Sequence, residues 1–598
     1  MTTYDDFNAW PEYTLTGQLN RVVELFPDRP AIVQGGKQLT YKEFDLETDR
    51  VKQEVLSKGA VKGDRIALFL EHGISQFVAL FGVLKSGAAY VALDITNPSD
   101  RISYILEDAK ATMIITNNRN LAQAEALANG TMQIVNTDKP ESVPTSDDFM
   151  NISGDDVCSI IYTSGSTGNP KGTWYSHKAM SHFAWRYSRF CGLNEFDRVG
   201  YFVSISFSAH AMPMLGALMN GGALVLFDLK KKQLSHFRDW LVRQHISVAL
   251  MIPSVLRNFS ATLDKEHNFP QLRLVLSGGE SLFRADVEKL FPHLDPDARI
   301  MHILASTEAY LTSALVIEKH MLLASNHLSV GLDVEGMRTH VMDENGNPVG
   351  FNSSGEIWIE SDYLAGGYWN DERLTNEHFF SDHNGIAGRY FRSGDLGIRL
   401  PDGCLVISGR KDHMVKLRGY RIDVREIESV LLGLPEMLET AVLLKEDPQG
   451  GKHLVAYVVI RTGHAFDESR IKLAVLRMLP DYMVPGFVVL LDELPKAHTG
   501  KVDFKQIPDP DWHQLAKTMD VETVTTPTEI KLAEIVGRML NISPVGRNHN
   551  IIQLAKDSLK LFVTLDEIEK AFGKKLSIDA ILAAPTIRSI AEWLDRNH

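Results

Sequence analysis

The sequence predicts a large α/β core, then a small α+β unit, then an all-α unit. Three observations carry this. Over roughly the first 400 residues, β-rich runs such as RIALFLE, AAYVALD and ATMIITN alternate with helical ones such as FVALFGVLKSG, the pattern of parallel sheets flanked by helices. Past Gly409 the texture shortens to REIESVLLGL, TAVLLKED and KHLVAYVVI, pieces of a mixed unit. Beyond a connector, Thr526, Pro527 and Glu529 stand at the cap, first and third positions of a helix. At about 100–200 residues per domain, a chain of 598 residues requires several folding units.

The α/β region is too long for one sheet, so two packed subdomains are expected. Within it, Val199–Phe227 lacks formal charge and is long enough to suggest a membrane span. Ser204, Ser206, Ser208, His210, Pro213 and Asn220 interrupt the stretch, and buried strand, turn and helix is the better reading. The α+β unit ends near Pro508. Pro508, Pro510 and VETVTTPT then read as a mobile connector. The capped helix after it is expected to bury Leu532, Ile535, Val536 and Met539, opening a helical unit of about 70 residues. The expected limits are 1–408 for the core, 409–508 for the small unit, 509–526 for the linker and 527–598 for the helical unit.

Apolar residues make up 44% and charged residues 23%, as in ordinary globular proteins rather than disordered ones. A net charge of −14 with no basic patch opposes nucleic-acid binding. Cys158, Cys191 and Cys404 are far apart and without CxxC spacing, which gives neither a disulfide framework nor a zinc site. The start, MTTYDDFNAW, is acidic where a secretory signal needs basic then apolar residues. A cytoplasmic protein without a membrane anchor is expected.

The most informative segment is YTSGSTGNPKG, Tyr162 to Gly172. Gly165 and Gly168 permit close backbone approach, Thr163, Ser164, Ser166 and Thr167 offer hydroxyls, and Lys171 adds a positive charge, a set suited to a polyphosphate. It is not a Walker loop, because Pro170 precedes and Gly172 follows the lysine. Alone, such a turn is as readily a plain connector.

YTSGSTGNPKG resembles the phosphate loop of adenylate-forming enzymes, and further segments follow in order. LTYKEF, LKSGAAYVALD, GEIWIESDYLAGGYWNDERLTNEHF, FRSGDL, GRKDHMVKLRGYRIDVREIE and GKVD look like the adenylation domains of nonribosomal peptide synthetases. The ordered set covers nearly the whole chain and is highly specific. The resemblance implies that a carboxylic acid and ATP give an acyl adenylate and pyrophosphate, after which the acyl group passes to a thiol. It implies that Lys501 is the catalytic lysine, a cation able to bridge the carboxylate and the α-phosphate as charge develops. Asp395 matches the carboxylate that accepts the ribose hydroxyls, with the Arg410 guanidinium nearby. Thr307 and Glu308 match the pair at the α-phosphate and Mg²⁺, a cation that takes oxygen ligands.

ILASTE departs from the family pattern of an aromatic residue, Gly and Pro before Thr-Glu, having Leu304, Ala305 and Ser306 instead. Leu304 covers an adenine face without stacking, and His302 stands where asparagine commonly contacts the base. Asp412 matches the hinge about which the smaller unit rotates, bringing the Lys416 to Gly419 loop to the site, where a side-chain-free Gly419 leaves room for a pantetheine arm.

In LAKDSLKLF, the DSL triplet resembles the phosphopantetheine attachment site of a four-helix peptidyl carrier, with Ser558 as the attachment residue at a helix N-terminus. Ala555 and Lys556 replace the usual pair of glycines. The helix from Ser558 is expected to bury Leu559, Phe562, Leu565 and Ile568. In amino-acid-activating relatives an aspartate pairs with the substrate ammonium. FSAHAMPMLGAL puts Ser208 at that position, and an unpaired buried ammonium costs roughly 3–5 kcal/mol. By the same alignment the pocket comprises Ser208, Ala209, Met212, Leu250, Val275, Ser277, Ile303, Leu311 and Thr312. No acid is among them, which suits an uncharged acyl chain, a keto or hydroxy acid, or an aromatic acid. His210 is either a donor to such a substrate or a satisfied core histidine.

The leading expectation is thus an enzyme that activates an acid with ATP and stores it as a thioester on its own carrier. An acyl-coenzyme A ligase and a degenerate scaffold presenting a carrier are the alternatives. The expected cofactors are ATP, Mg²⁺ and 4'-phosphopantetheine. The expected partners are a phosphopantetheinyl transferase and a condensation or tailoring enzyme acting in trans.

Overall fold

The computed structural model describes residues 14–139, 151–163, 169–229, 234–323, 325–383, 386–411, 414–417, 419–448 and 450–495, and then 502, 504, 506–512, 522–540, 542, 544–551, 554, 558–574 and 586–596. Two compact units divide the chain. The first draws on Met1–Phe227, Leu241–Glu426 and Met478–Pro480, the second on Asp228–Trp240, Ile427–Arg477 and Asp481–His598.

Three sheets build the first unit, together with a small hairpin. A seven-stranded sheet runs in the order Gly367–Tyr368, Lys171–Ser176, Val157–Thr163, Ala89–Ala92, Arg65–Leu68, Met113–Thr116 and Gln133–Asn136. Its last five members are parallel and the other two pair antiparallel. Ala89–Ala92 and Met113–Thr116 are buried at every position, as expected of strands covered on both faces. A nine-stranded sheet runs Leu332–Asp333, Tyr310–Glu318, Arg299–Ser306, Leu274–Gly278, Val248–Leu250, Arg198–Tyr201, Ala223–Leu226, Pro30–Gln34 and Lys37–Thr40. Arg299–Ser306 through Pro30–Gln34 are parallel, so their carboxyl ends align along one edge, the edge at which open α/β sheets bind ligands. A five-stranded antiparallel sheet holds Arg338–Met342, Ser354–Glu360, Ile386–Arg399, Phe379–His383 and Leu405–Arg410.

The charge-free stretch resolves into the strand Arg198–Tyr201, a single turn Ser208–His210, the helix Ala211–Leu218 and the strand Ala223–Leu226, with that helix buried at every residue. Among the described residues no helix is long and apolar enough to cross a membrane.

The second unit contains a three-stranded sheet, Met437–Glu446, Lys452–Ile460 and Phe487–Leu490, with the first pair antiparallel and the second parallel. Further along, the described residues hold three helices, Pro527–Leu540, Ser558–Phe572 and Ile587–Arg596. Leu532, Ile535, Val536, Leu565, Ile568, Ile587 and Leu594 form their shared core, with Met539 packed against it in part. The first of these helices is capped as its sequence predicts. The Glu529 N–H donates to Thr526 Oγ1 at 3.1 Å, and Glu529 Oε2 accepts the Thr526 N–H at 3.2 Å. Burial pushes the Glu529 carboxyl up, but hydrogen bonds from the Thr525 and Thr526 N–H groups, the Thr525 hydroxyl and Arg547 outweigh it and hold the pKa down to about 2.

Candidate active site

The hairpin Val157–Thr163 and Lys171–Ser176 closes with Thr163 opposite Lys171. Ser164, Gly165, Ser166, Thr167 and Gly168, between them, lie outside the described residues. Thr163 Oγ1 is buried with no hydrogen-bond partner among the described residues, a hydroxyl left over for a ligand oxygen. Lys171 Nζ donates to Tyr368 Oη at 3.1 Å and stands 4.2 Å over the Tyr368 ring. It is also 3.8 Å from Glu308 Oε1.

Glu308 is fully buried. It sits in the turn between the antiparallel strands Arg299–Ser306 and Tyr310–Glu318. Tyr310 leaves that turn in the left-handed region, φ 52°, which costs a bulky residue energy unless packing imposes it. The packing is present, because its ring stacks on Phe183 at 4.4 Å and lies 4.8 Å from that of Tyr175. Arg186, also fully buried, directs Nη2 to the Ala309 carbonyl at 3.5 Å, and burial pulls its guanidinium down to about 10. These residues of the helix His177–Cys191 and the strand Lys171–Ser176 hold Thr307 and Glu308 in place.

Thr307 Oγ1 donates to Ser208 Oγ at 2.9 Å, both groups buried. His210 resolves its two readings. Nδ1–H donates to the Phe207 carbonyl at 2.8 Å and Nε2 accepts from Tyr90 Oη at 3.0 Å, so the ring is satisfied internally. Burial holds it neutral, with its pKa down to about 4. It is a core histidine. His302 donates Nδ1–H to the Ser329 carbonyl at 2.8 Å, and burial lowers its pKa. Leu304 is buried in the main apolar core, and Ser306 Oγ is buried without a partner among the described residues.

Parallel register divides the expected pocket residues between the two faces of the sheet. Leu250, at the end of Val248–Leu250, pairs with Leu276 and Ile303 pairs with Gly278, so these two share one face, whereas Val275 and Ser277 stand on the other face of Leu274–Gly278, with Ser277 beside His302. Met212, Leu250, Ile303 and Leu311 belong to one apolar core, with half-buried Ala209 packed against it. Thr312 Oγ1 donates to the Tyr310 carbonyl at 3.2 Å. Ser277 Oγ is buried with no partner among the described residues.

Asp395 and Arg410 face each other across strands Ile386–Arg399 and Leu405–Arg410. Arg410 donates Nη1 to Asp395 Oδ1 and Nη2 to the Ser393 carbonyl, and Lys416 Nζ reaches Asp395 Oδ2 at 3.5 Å. The compact first unit runs on past 408 to Glu426. The hairpin Met414–Leu417 and Tyr420–Asp423 is tied into it: the Gly419 N–H donates to Glu280 Oε1 at 2.9 Å, and the Tyr420 ring lies 5.6 Å from that of Phe207. Gly419 has φ 76°, and a Cβ there would stand 2.9 Å from the Ile252 side chain. Only glycine fits both conditions. Glu280, which also accepts from the Ser254 N–H at 3.0 Å, is absent from the sequence reading. So is Tyr368, although it lies inside the quoted GGYWNDE. Lys501 and Asp412 fall outside the described residues. Ser558 begins the helix Ser558–Phe572, and its side chain also lies outside them.

A buried carboxylate beside a lysine, with the Thr163 hydroxyl buried at the end of the adjacent strand and unpartnered among the described residues, fits phosphate and a hard cation with oxygen ligands. Comparison with known proteins agrees. Residues 19–369 match the family described as AMP-binding enzyme, 426–501 its C-terminal domain, and 531–594 a phosphopantetheine attachment site. The chain belongs to the AMP-binding enzyme family. It is an adenylate-forming ligase built as an adenylation domain joined to a peptidyl carrier, using ATP with Mg²⁺ and carrying 4'-phosphopantetheine.

Tyrocidine synthase 1 of Brevibacillus parabrevis is 29% identical over 574 residues, covering 95% of this chain and 51% of that protein. The dimodular nonribosomal peptide synthase of Bacillus subtilis (strain 168) is 30% identical over 602 residues, covering 98% of this chain and 25% of that protein. The chain thus spans between about a quarter and about half the length of these two relatives. A solved structure of holo-PA1221, titled an NRPS protein containing adenylation and PCP domains, shares the fold with a TM-score of 0.81 at 23% identity, covering 98% of this chain and 97% of that one.

Proposed function

We propose that this protein activates a carboxylic acid lacking an α-ammonium group and passes it, as a thioester, to the arm on Ser558. The observation that carries the reading is the buried hydroxyl pair of Thr307 and Ser208, 2.9 Å apart, where an ammonium would need a carboxylate. An unpaired buried ammonium costs about 3–5 kcal/mol, a hundredfold or more in binding, whereas a hydroxyl pair meets a keto, hydroxy or apolar α-substituent without charge mismatch. Ser208, Ala209, Met212, Leu250, Val275, Ser277, Ile303, Leu311 and Thr312 line the proposed acyl pocket. The shared apolar core of Met212, Leu250, Ile303 and Leu311, with Ala209 packed against it, supports that part of the grouping, while strand register sets Val275 and Ser277 on the opposite face of the sheet.

In this reading Thr163 and the 164–168 loop cradle phosphate oxygens, with Lys171 as their counter-charge. Asp395 accepts the ribose hydroxyls while Arg410 fixes its orientation, and His302 borders the base. Lys501 neutralises charge as the acid attacks the α-phosphorus and pyrophosphate departs. Glu308 would hold Mg²⁺, which when bound disperses phosphate charge. Asp412 acts as the hinge, and Lys416 and Gly419 flank the path of the arm, whose thiol supplies the acceptor. Domain limits of 1–408, 409–508 and 527–598 accommodate the three family matches. A phosphopantetheinyl transferase and a downstream acyl-accepting enzyme are the proposed partners, in the cytoplasm.

Pyrophosphate exchange over α-amino, β-amino, keto, aryl and fatty acids tests the substrate class. Exchange confined to α-amino acids refutes it. Ser558→Ala is expected to abolish covalent loading and leave exchange intact. Turnover of free coenzyme A by that variant would favour an acyl-coenzyme A ligase instead.

A further inference from the structure

The geometry points to Tyr368 as a positioning residue that holds the Glu308 carboxylate in its Mg²⁺-binding orientation while Lys171 moves between that carboxylate and a nucleotide phosphate. The inference rests on the proposed roles of Glu308 and Lys171 and adds a group to which neither sequence nor comparison assigns a role.

Tyr368 Oη makes two bonds of fixed direction. It accepts from Lys171 Nζ at 3.1 Å and donates to Glu308 Oε1 at 2.9 Å. An ammonium has no lone pair, so the phenol proton in this triad can go only to the carboxylate. Lys171 also stands 3.8 Å from the same oxygen and 4.2 Å over the ring, close enough to neutralise Glu308. A phosphate drawing Lys171 away would leave a fully buried carboxylate dependent on other donors. The phenol supplies one that need not move, and it keeps Oε1 engaged so that the carboxylate does not rotate.

Tyr368 is itself built in. The strand Gly367–Tyr368 pairs with Lys171–Ser176 so that Tyr368 faces Thr173, two residues from Lys171. That approach needs Gly366, where a Cβ would meet the Trp174 ring at 2.1 Å. The Tyr368 N–H donates to Thr375 Oγ1 at 2.9 Å, and the ring packs edge-on to Phe379 at 5.6 Å. The Ala365 N–H donates to the Glu308 carbonyl at 2.9 Å, so the same segment grips Glu308 by backbone and by side chain.

The test uses the full chain and calorimetric binding of a non-hydrolysable ATP analogue over a Mg²⁺ series, alongside pyrophosphate exchange. Tyr368→Phe is expected to raise the Mg²⁺ concentration for half-maximal nucleotide binding about tenfold while leaving the KM for the acid unchanged. Glu308→Gln should raise it at least as much, and Tyr368→Phe should add nothing in that background, as expected of two groups acting through one contact. A wild-type Mg²⁺ requirement in Tyr368→Phe, or full additivity with Glu308→Gln, overturns the inference while leaving the Glu308 assignment standing. A wild-type requirement in Glu308→Gln overturns both. Should Tyr368→Phe fail to fold, 3-fluorotyrosine at position 368 provides a more acidic phenol of nearly the same size. A shift of twofold or more in the Mg²⁺ requirement supports the role, and no shift refutes it.

Discussion

Replacing Lys171 with methionine keeps the aliphatic stem and removes a single charge. In the nucleotide-free protein that charge lies 3.8 Å from Glu308 Oε1, whose side chain has no exposed surface. At an effective dielectric of about 20 the attraction is roughly 4 kcal/mol, close to the 3–5 kcal/mol lost when one partner of a buried pair is deleted. The first unit has about 400 residues, and at ~2.1 cal/mol/K per residue its unfolding entropy is ~0.8 kcal/mol/K, so ~4 kcal/mol corresponds to a fall in Tm of ~5 °C. Lys171→Met should therefore melt about 5 °C below wild type in a calorimetric scan and bind MgATP ten- to a hundredfold more weakly. Lys178→Met, at an exposed site in the following helix, serves as the control and should melt as wild type does. If Lys171→Met melts within 1 °C of wild type and binds MgATP normally, the coupling of Lys171 to Glu308 is wrong.

Three further outcomes are expected. Ser208→Asp places a carboxylate against Thr307 and should cut pyrophosphate exchange with the native acid at least tenfold while admitting α-amino acids. Unchanged selectivity in the exchange panel would remove Ser208 from the pocket. Burial depresses His177 and His210 to about 4. Their unfolded forms protonate near 6.5, so the stability contributed by each neutral ring is whole above that pH and falls between 6.5 and about 4, by up to ~1.4 kcal/mol per pH unit for each ring. A flat Tm across that window would refute it. Glu529, held down to about 2, contributes stability that is whole above its ordinary value near 4.5 and lost as pH falls toward 2. At neutral pH Glu529→Gln should cost about 2 kcal/mol and speed hydrogen exchange across Pro527–Leu540.

Local chemistry was readable in advance. The Thr526, Pro527, Glu529 cap needs only neighbours in sequence, so its three residues sufficed to start a helix where one begins. Alternating strand and helix patterns gave the α/β core, and the loss of charge over Val199–Phe227 gave a buried segment, because burial on both faces selects composition directly. The order of the quoted segments carried the family, since a set of matches in one order along nearly the whole chain is far more specific than any one of them.

Tertiary structure decided the partners of each charge. His210 stood in the sequence with two readings, and Tyr90, 120 positions away, chose between them by taking its second nitrogen. Tyr368 belonged to a quoted segment yet offered no sign of contact with Glu308, because that contact depends on the register of Gly367–Tyr368 beside Lys171–Ser176 and on the turn that buries Glu308. Spacing along a chain fixes which residues share an element and a face. Which buried donor meets which buried acceptor is set by how separate sheets pack, and one residue of strand slippage would exchange every such pair.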